Sequence, residues 1–478
     1  MTNITIMKTK CIRLFLCTVP LALFIGCEED LPQQLPLGTS HQEKVTTALN
    51  FKALYSKHHT MSWEDAALFA ERSAECFLNE DNPSELRSGK QRRIVNNGFV
   101  LKKEKRNSLR NASIQNQLPD TLAYICNFAD SMGFAIICAD DRVGCPILAC
   151  VDNGIIEDSV ENPGLAIFLE NAYDFIEDKI LNFEEKKDSL RKIADEFIKN
   201  WETESKAVLK NVYTGTFTMT KDEEVKPLLF TTWGQSSSPY NDLTKTCLSD
   251  ISGHAPAGCW ATAIAQLMAY YKYPSYVEYV NNGSAIRNYI DWQAILQKKN
   301  ASSFTDLKTR KQVANLLFYV GKNIKMKYDC DGSSTSEKDA MTYLKKIGYK
   351  KCDSQDYSFS KVRSELMKNR PVLMNGKKKK VLFVSYEGHA WVVDGYSTSI
   401  VEDYSYRIDM EKNESKYWVT KTVYKNSLLH INWGWAGNNN GYFAEGCFNT
   451  ANAIQYDSQE GDSHSDYKYN NKIHIAWR

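Results

Sequence analysis

Residues 258–274 read GCWATAIAQLMAYYKYP, and the fold turns on what the cysteine in that stretch does. Trp260, Ile264, Leu267, Met268 and Tyr271 recur at the spacing of one buried helical face, and Pro274 ends the run. Cys259 opens this predicted helix, behind a glycine that permits close backbone approach. Free N–H groups and the positive end of the helix dipole favour a thiolate there. The cysteine is therefore either a small buried hydrophobe, the commoner use of an unpaired thiol, or a nucleophile. The rest of the chain has to decide.

Two later stretches bear on that choice. In GHAWVVDGY, residues 388–396, His389 starts an apolar strand-like run that can hold an imidazole in a fixed direction. In LLHINWGWAGNNNGYF, residues 428–443, Asn432 ends another such run before a turn rich in Gly and Asn. A Cys–His pair needs a third group to orient the ring, and an Asn amide oxygen accepting the imidazole N–H would serve, with Trp433 shielding that bond from water. Nucleophile on a helix, then base and orienter on later strands, is the papain-like order.

With 478 residues, 43% of them hydrophobic and 12% aromatic, the chain can bury large cores in two to four domains. Lys and Arg number 59 against 58 Asp and Glu, so no field gathers nucleic acid, and the run Lys377 to Lys380 reads as a solvated loop. Near the start, Lys8, Lys10 and Arg13 precede LFLCTVPLALFIG, an apolar run too short to span a bilayer and suited to a secretory signal. Residues 1–26 are expected to be that signal, of lipoprotein type, with Cys27 carrying the lipid ahead of an acidic EED. Export would place the chain in the cell envelope or outer membrane, surface-exposed or released after processing, touching membrane only through the lipid. Ten cysteines follow Cys27 without a CxxC pair or metal-ligand spacing to His. They read mostly as reduced core residues, and pairing among them stays open.

The remainder divides into two bodies. Ser62 caps a helix over SWEDAALFAERSAECFL, and after a polar, basic stretch the runs LAYICNF, GFAIICA and PILACV read as antiparallel strands. Pro163-Gly164 opens a helix to about Leu209. A composition shift near residues 215–227 introduces frequent Trp and the reactive residue types. Helices are expected at Cys259 to Tyr271, Asp306 to Val320, Ser336 to Ile347 and Ser360 to Asn369, with strands at PVLMNG, HAWVVDGY and LLHINWGW.

These motifs, together with WGQSSSPYNDL, IKMKYDCDGSST and RPVLMNG, resemble the streptopain family of secreted bacterial cysteine proteases from about residue 227 onward, and YICNFADSMGFAIICADDRVGCPILACVDNG looks like that family's inhibitory propeptide. The resemblance implies an α+β fold: a papain-like domain at 221–478 with helical and antiparallel β halves, preceded by an α+β inhibitory prodomain at 28–220. It implies Cys259 as nucleophile, His389 as base and then acid, Asn432 as orienter and Trp433 as shield. Substrates would be proteins or peptides with a hydrophobic residue two before the cut, the propeptide would be the inhibitor, and no metal or organic cofactor is implied.

Two departures stand out. The segment between His389 and Asn432 is longer than the family pattern and reads as an inserted hairpin turning at EKNES. Where family members can carry a Gln as oxyanion donor, six residues before the cysteine, this chain has Gly253, which leaves Gln235 and His254 as candidate donors. Rival readings are a surface-anchored binding or inhibitor protein derived from a protease, and a transglutaminase or amidase using the same thiolate.

Overall fold

The structure, a computed structural model, describes residues 41–46, 50–78, 92–102, 118–144, 146–157, 160–205, 209–247, 253–377, 388–409, 417–449 and 471–478. The signal segment, Cys27, most of the basic stretch, Cys145 and the EKNES turn lie outside them. Among the described residues no helix is long and apolar enough to cross a membrane.

One twelve-stranded sheet runs through both bodies. Its strands are β1 (His41–Thr46), β2 (Val95–Lys102), β3 (Thr121–Phe128), β4 (Phe134–Cys138), β5 (Ile147–Val151), β6 (Leu209–Val225), β9 (Lys350–Asp356), β10 (Val372–Lys377), β11 (Gly388–Asp409), β12 (Tyr417–Asn432), β13 (Gly441–Ala444) and β14 (Lys472–Trp477). The order is β2-β3-β4-β5-β13-β12-β11-β10-β14-β9, with β1 on β12 and β6 on β11. The bodies meet in the sheet where β5 pairs antiparallel with β13, Tyr442 opposite Cys150, and also through β1 on β12 and β6 on β11. Strands β7 (Tyr276–Asn281) and β8 (Ser284–Tyr289) form a separate hairpin.

In the first body, helix α1 spans Phe51–Tyr55 and helix α2 spans Trp63–Phe77. Ser62 caps α2 by accepting the Asp65 N–H at 3.1 Å, which turns its Ala and Phe face onto the sheet. Helix α3 (Pro163–Ser205) starts with proline, whose missing N–H costs nothing at that position. Its residues Leu165, Phe168, Leu169, Ala172, Ile176 and Ile180 enter a core that also contains Met374, Trp391, Ile431 and Phe443. A second core packs α4 (Cys259–Tyr271) against α5 (Trp292–Leu296), α6 (Leu307–Asn323) and α7 (Glu337–Lys346). Helix α8 (Phe359–Leu366) joins the first core through Val362 and Leu366.

The expected α+β class and the two-half, papain-like arrangement are what the structure contains. The inserted segment is a hairpin, β11 with β12, registered from Val392↔Asn432 out to Ile408↔Tyr417. Its outer part is covered rather than free: β6 pairs along β11 from Tyr396↔Val225 to Asp409↔Leu209. The composition boundary at 220/221 therefore falls inside a paired strand, where Thr220 lies opposite Ile400. Sequence reading also missed β2, which begins within the stretch taken as polar and basic, and the β7–β8 hairpin.

Candidate active site

The helix predicted at 259–271 spans those residues, with Cys259 first and Gly258 as N-cap at φ 95°. A side chain at Gly258 would be strained at that φ and would meet Met326 Sδ at 2.8 Å. Cys259 is partly buried and its sulfur is free. Burial pushes the thiol pKa up, while N–H groups of Ala390, Trp260 and Cys259 itself pull the other way. The Ala390 contact brings β11 against the helix start. That places the nucleophile candidate at the junction of the two halves, next to the strand end that carries His389.

His389 is 3% exposed, and its Nε2 lies 2.8 Å from the Trp433 carbonyl oxygen. A carbonyl only accepts, so Nε2 carries the proton and Nδ1 keeps the lone pair. Burial drives the imidazole pKa down to about 4, with the Trp433 bond opposing in part. Both members of the pair are thus held neutral in this state. Among the described residues no hydrogen bond joins their side chains. The first turn of α3 packs against His389 and Trp433: a Cβ at Gly164 would lie 2.2 Å from Trp433 Cε3 and 2.9 Å from His389 Cδ2. Asn162 anchors that turn, its Oδ1 accepting the Gly164 N–H at 3.0 Å and its Nδ2 donating to the Asn438 carbonyl at 3.3 Å.

Asn432 does not take the place expected of an orienter. Its Oδ1 accepts the N–H of Gly434 (3.1 Å) and an amide hydrogen of Gln266 (3.1 Å), while its Nδ2 donates to the Thr231 carbonyl (2.8 Å) and to Gln266 Oε1 (3.2 Å). An amide so fully occupied by neighbours has nothing left for the ring, and the main chain of Trp433 holds His389 instead. Trp433 is fully buried, its ring packed on Trp391 and Phe443 with centroids 5.1 Å from each, while the His389 ring stacks on Trp391 at 6.2 Å and meets Trp435 edge-on at 6.5 Å.

Of the oxyanion candidates, His254 points Nδ1 at the Thr244 carbonyl, 3.0 Å away. Gln235 is 8% exposed and its carbonyl accepts the Ala257 N–H at 2.7 Å, which ties it to the segment leading into Cys259. Gly253 has φ 67° and open space around it. A disulfide between Cys247 and Cys330 pins this loop to the one at 326–334, where Ser333 donates to the Pro256 carbonyl at 2.6 Å. The described residues include no group of three or more His, Cys, Asp or Glu arranged to hold a metal ion.

A thiol on a helix start, beside the strand end that carries a histidine, is the pairing of residue types that a papain-like thiol peptidase uses. Residues 233–443 match the Peptidase C10 family. Streptopain of Streptococcus pyogenes serotype M28 (strain MGAS6180) is 25% identical over 241 residues, 43% of this chain and 51% of the relative. The chain thus spans about half the length of the curated relatives it matches. Among solved structures, a fragment of prointerpain A from Prevotella intermedia is 24% identical with a TM-score of 0.45, covering 74% of this chain and 96% of that one. Active interpain A cysteine protease from the same organism is 26% identical with a TM-score of 0.36, covering 52% and 94%.

Proposed function

We propose that the chain is a cysteine endopeptidase made as a latent precursor. The observation that carries this is the pairing of Cys259, at a helix start ringed by backbone N–H groups, with a His389 ring whose Nε2–H is fixed on a carbonyl so that Nδ1 is the free base. Once the cleft is open, Nδ1 takes the thiol proton and the thiolate attacks the scissile carbonyl. The Cys259 N–H and the Gln235 amide are the oxyanion donors we favour, and the imidazolium returns its proton to the departing amine. Water then releases the acyl group by the same steps in reverse.

The body at 28–220 acts as the inhibitor by seating α3 on His389 and Trp433. Export by the N-terminal signal, lipid on Cys27, and a preference for a hydrophobic residue two before the cut complete the reading. The Cys247–Cys330 disulfide supports an oxidising compartment. The test is mass spectrometry of a denatured protein incubated with the processed chain and with Cys259→Ala. Peptide fragments lost in the variant are expected; crosslinks or deamidation would identify a transferase or amidase, and an unchanged substrate a non-catalytic binder.

A further inference from the structure

Gln266 is a fully buried polar side chain on the inner face of α4, beside a core of aliphatic and aromatic side chains. Burying an amide there is costly unless every group is bonded, and here it is. Its Oε1 accepts from Thr231 Oγ1 (3.1 Å), the Trp233 N–H (3.1 Å) and Asn432 Nδ2 (3.2 Å), and its Nε2 donates to Asn432 Oδ1 at 3.1 Å. The two amides face each other in a reciprocal pair that spans the helical and β halves.

The pair sits at one end of a single peptide unit. The N–H of Gly434 bonds to Asn432 Oδ1, and the C=O of Trp433, the other side of the same planar amide, accepts from His389 Nε2. Fixing the N–H end fixes where the carbonyl aims. Trp433 N–H donates to Asn440 Oδ1 at 3.1 Å, so the preceding peptide is held as well. Gly434 has φ 68° with Thr262 Cγ2 3.2 Å from where a Cβ would stand, a conformation that needs both glycine and a tether. Were the peptide to flip, it would offer His389 an N–H, and the ring would have to carry its proton on Nδ1, the atom that must stay free to receive the thiol proton.

We infer that Gln266 is a positioning residue for His389, acting through Asn432 and the Trp433–Gly434 peptide to fix the ring's tautomer. The inference rests on the cysteine-peptidase reading of the site. Among the described residues no charged side chain acts on the ring, and the carbonyl is the main polar influence on it besides burial.

Processed enzyme carrying Gln266→Leu is the first test. With the carbonyl no longer held, the imidazolium loses support, so the acid limb of the pH–kcat/KM profile moves up and the basic limb moves down. The bell narrows, and kcat falls roughly tenfold with KM little changed. Adding Gln266→Leu to Asn432→Ala should cost nothing further, because both cut the same relay. A folded Gln266→Leu enzyme with wild-type limbs, or losses that multiply in the double variant, overturns the inference. The second test needs neither activity nor processing: ¹⁵N shifts of His389 in the full chain with Cys259→Ala, with and without Gln266→Met, a change close in volume. A single Nε2–H tautomer that becomes mixed on substitution supports the relay; a ring unchanged by the substitution, or mixed from the start, sinks it. If the wild-type enzyme cuts nothing, the peptidase reading fails while the ring measurement still decides on Gln266.

Discussion

The two halves of the catalytic domain are held together in different ways. The helical half keeps its core largely to itself, from Trp233 and Trp260 through Leu316 to Tyr349, and the Cys247–Cys330 disulfide staples it. The β half shares its core with the N-terminal body: Phe168 of α3 lies 4.8 Å from Phe443 and 5.7 Å from Phe448, ring to ring, and Phe77 of α2 lies 5.9 Å from Tyr442. The physical division of the molecule therefore runs through the candidate active site, not between body and catalytic domain. Whatever removes the body uncovers the core of the half that carries His389.

The largest test of this contrast is to express Pro227–Arg478 alone. Each large apolar side chain left without its cover costs about 1.5–3 kcal/mol, so a handful match the whole ~5–15 kcal/mol of an ordinary fold. The fragment should fold but melt at least ~10 °C below the full chain, and supplying residues 50–205 as a separate chain should recover the loss. Equal melting temperatures would break the comparison.

A smaller effect is expected at the contact that seals the site. A side chain at Gly164 would overlap the Trp433 ring, and overpacking of this kind costs about 1–3 kcal/mol. Gly164→Leu should lift the first turn of α3 and raise the rate at which iodoacetamide labels Cys259 in the unprocessed chain roughly tenfold, while processed enzyme from the same variant behaves as wild type. Labelling at the wild-type rate would mean that the α3 contact does not hold the site closed.

How legible all this was depended on whether the information was local. The α4 helix, its cysteine and its limits follow from periodicity and Pro274; the Ser62 cap and the strands at 121–151 follow from similarly short patterns. The β7–β8 hairpin had a local signal too, Asn282-Gly283 at φ 47° and 79°, and was overlooked. By contrast, nothing in the sequence says that Asn432 binds Gln266, 166 positions away, rather than His389. That choice is made by packing, as is the pairing of β6 with the inserted hairpin. The motif identified the residues around the ring but misassigned which atom among them holds it.

The smallest effect concerns the seam where the two bodies share the sheet. His430 on β12 is 2.6 Å from Asp394 Oδ1 on β11, and its ring meets Tyr442 of β13 at 5.1 Å. From the N-terminal body, Asp152 adds its charge just beyond β5. Burial would lower the His430 pKa, but the charge and hydrogen bond of Asp394, with Asp152 behind them, carry it above its ordinary value. Burial raises Asp152 too, against the opposing pull of His430, Arg93 and Lys299. Both groups bind protons more tightly folded than unfolded. Their contribution is fully present below the unfolded pKa values and is lost as pH rises through the folded ones. The melting temperature of the full chain with Cys259→Ala should therefore fall as pH rises past about 6.5 and through the raised His430 pKa, and His430→Gln should flatten that slope. Because Asp394 also accepts the Leu229 N–H at 3.1 Å, the same titration should loosen the segment that follows β6. Hydrogen exchange at Leu228 and Leu229 should then quicken over the same pH window beyond the intrinsic rate. A slope that survives in His430→Gln, or exchange that tracks only the intrinsic rate, would show that the seam is held by the β5–β13 ladder and its apolar contacts alone.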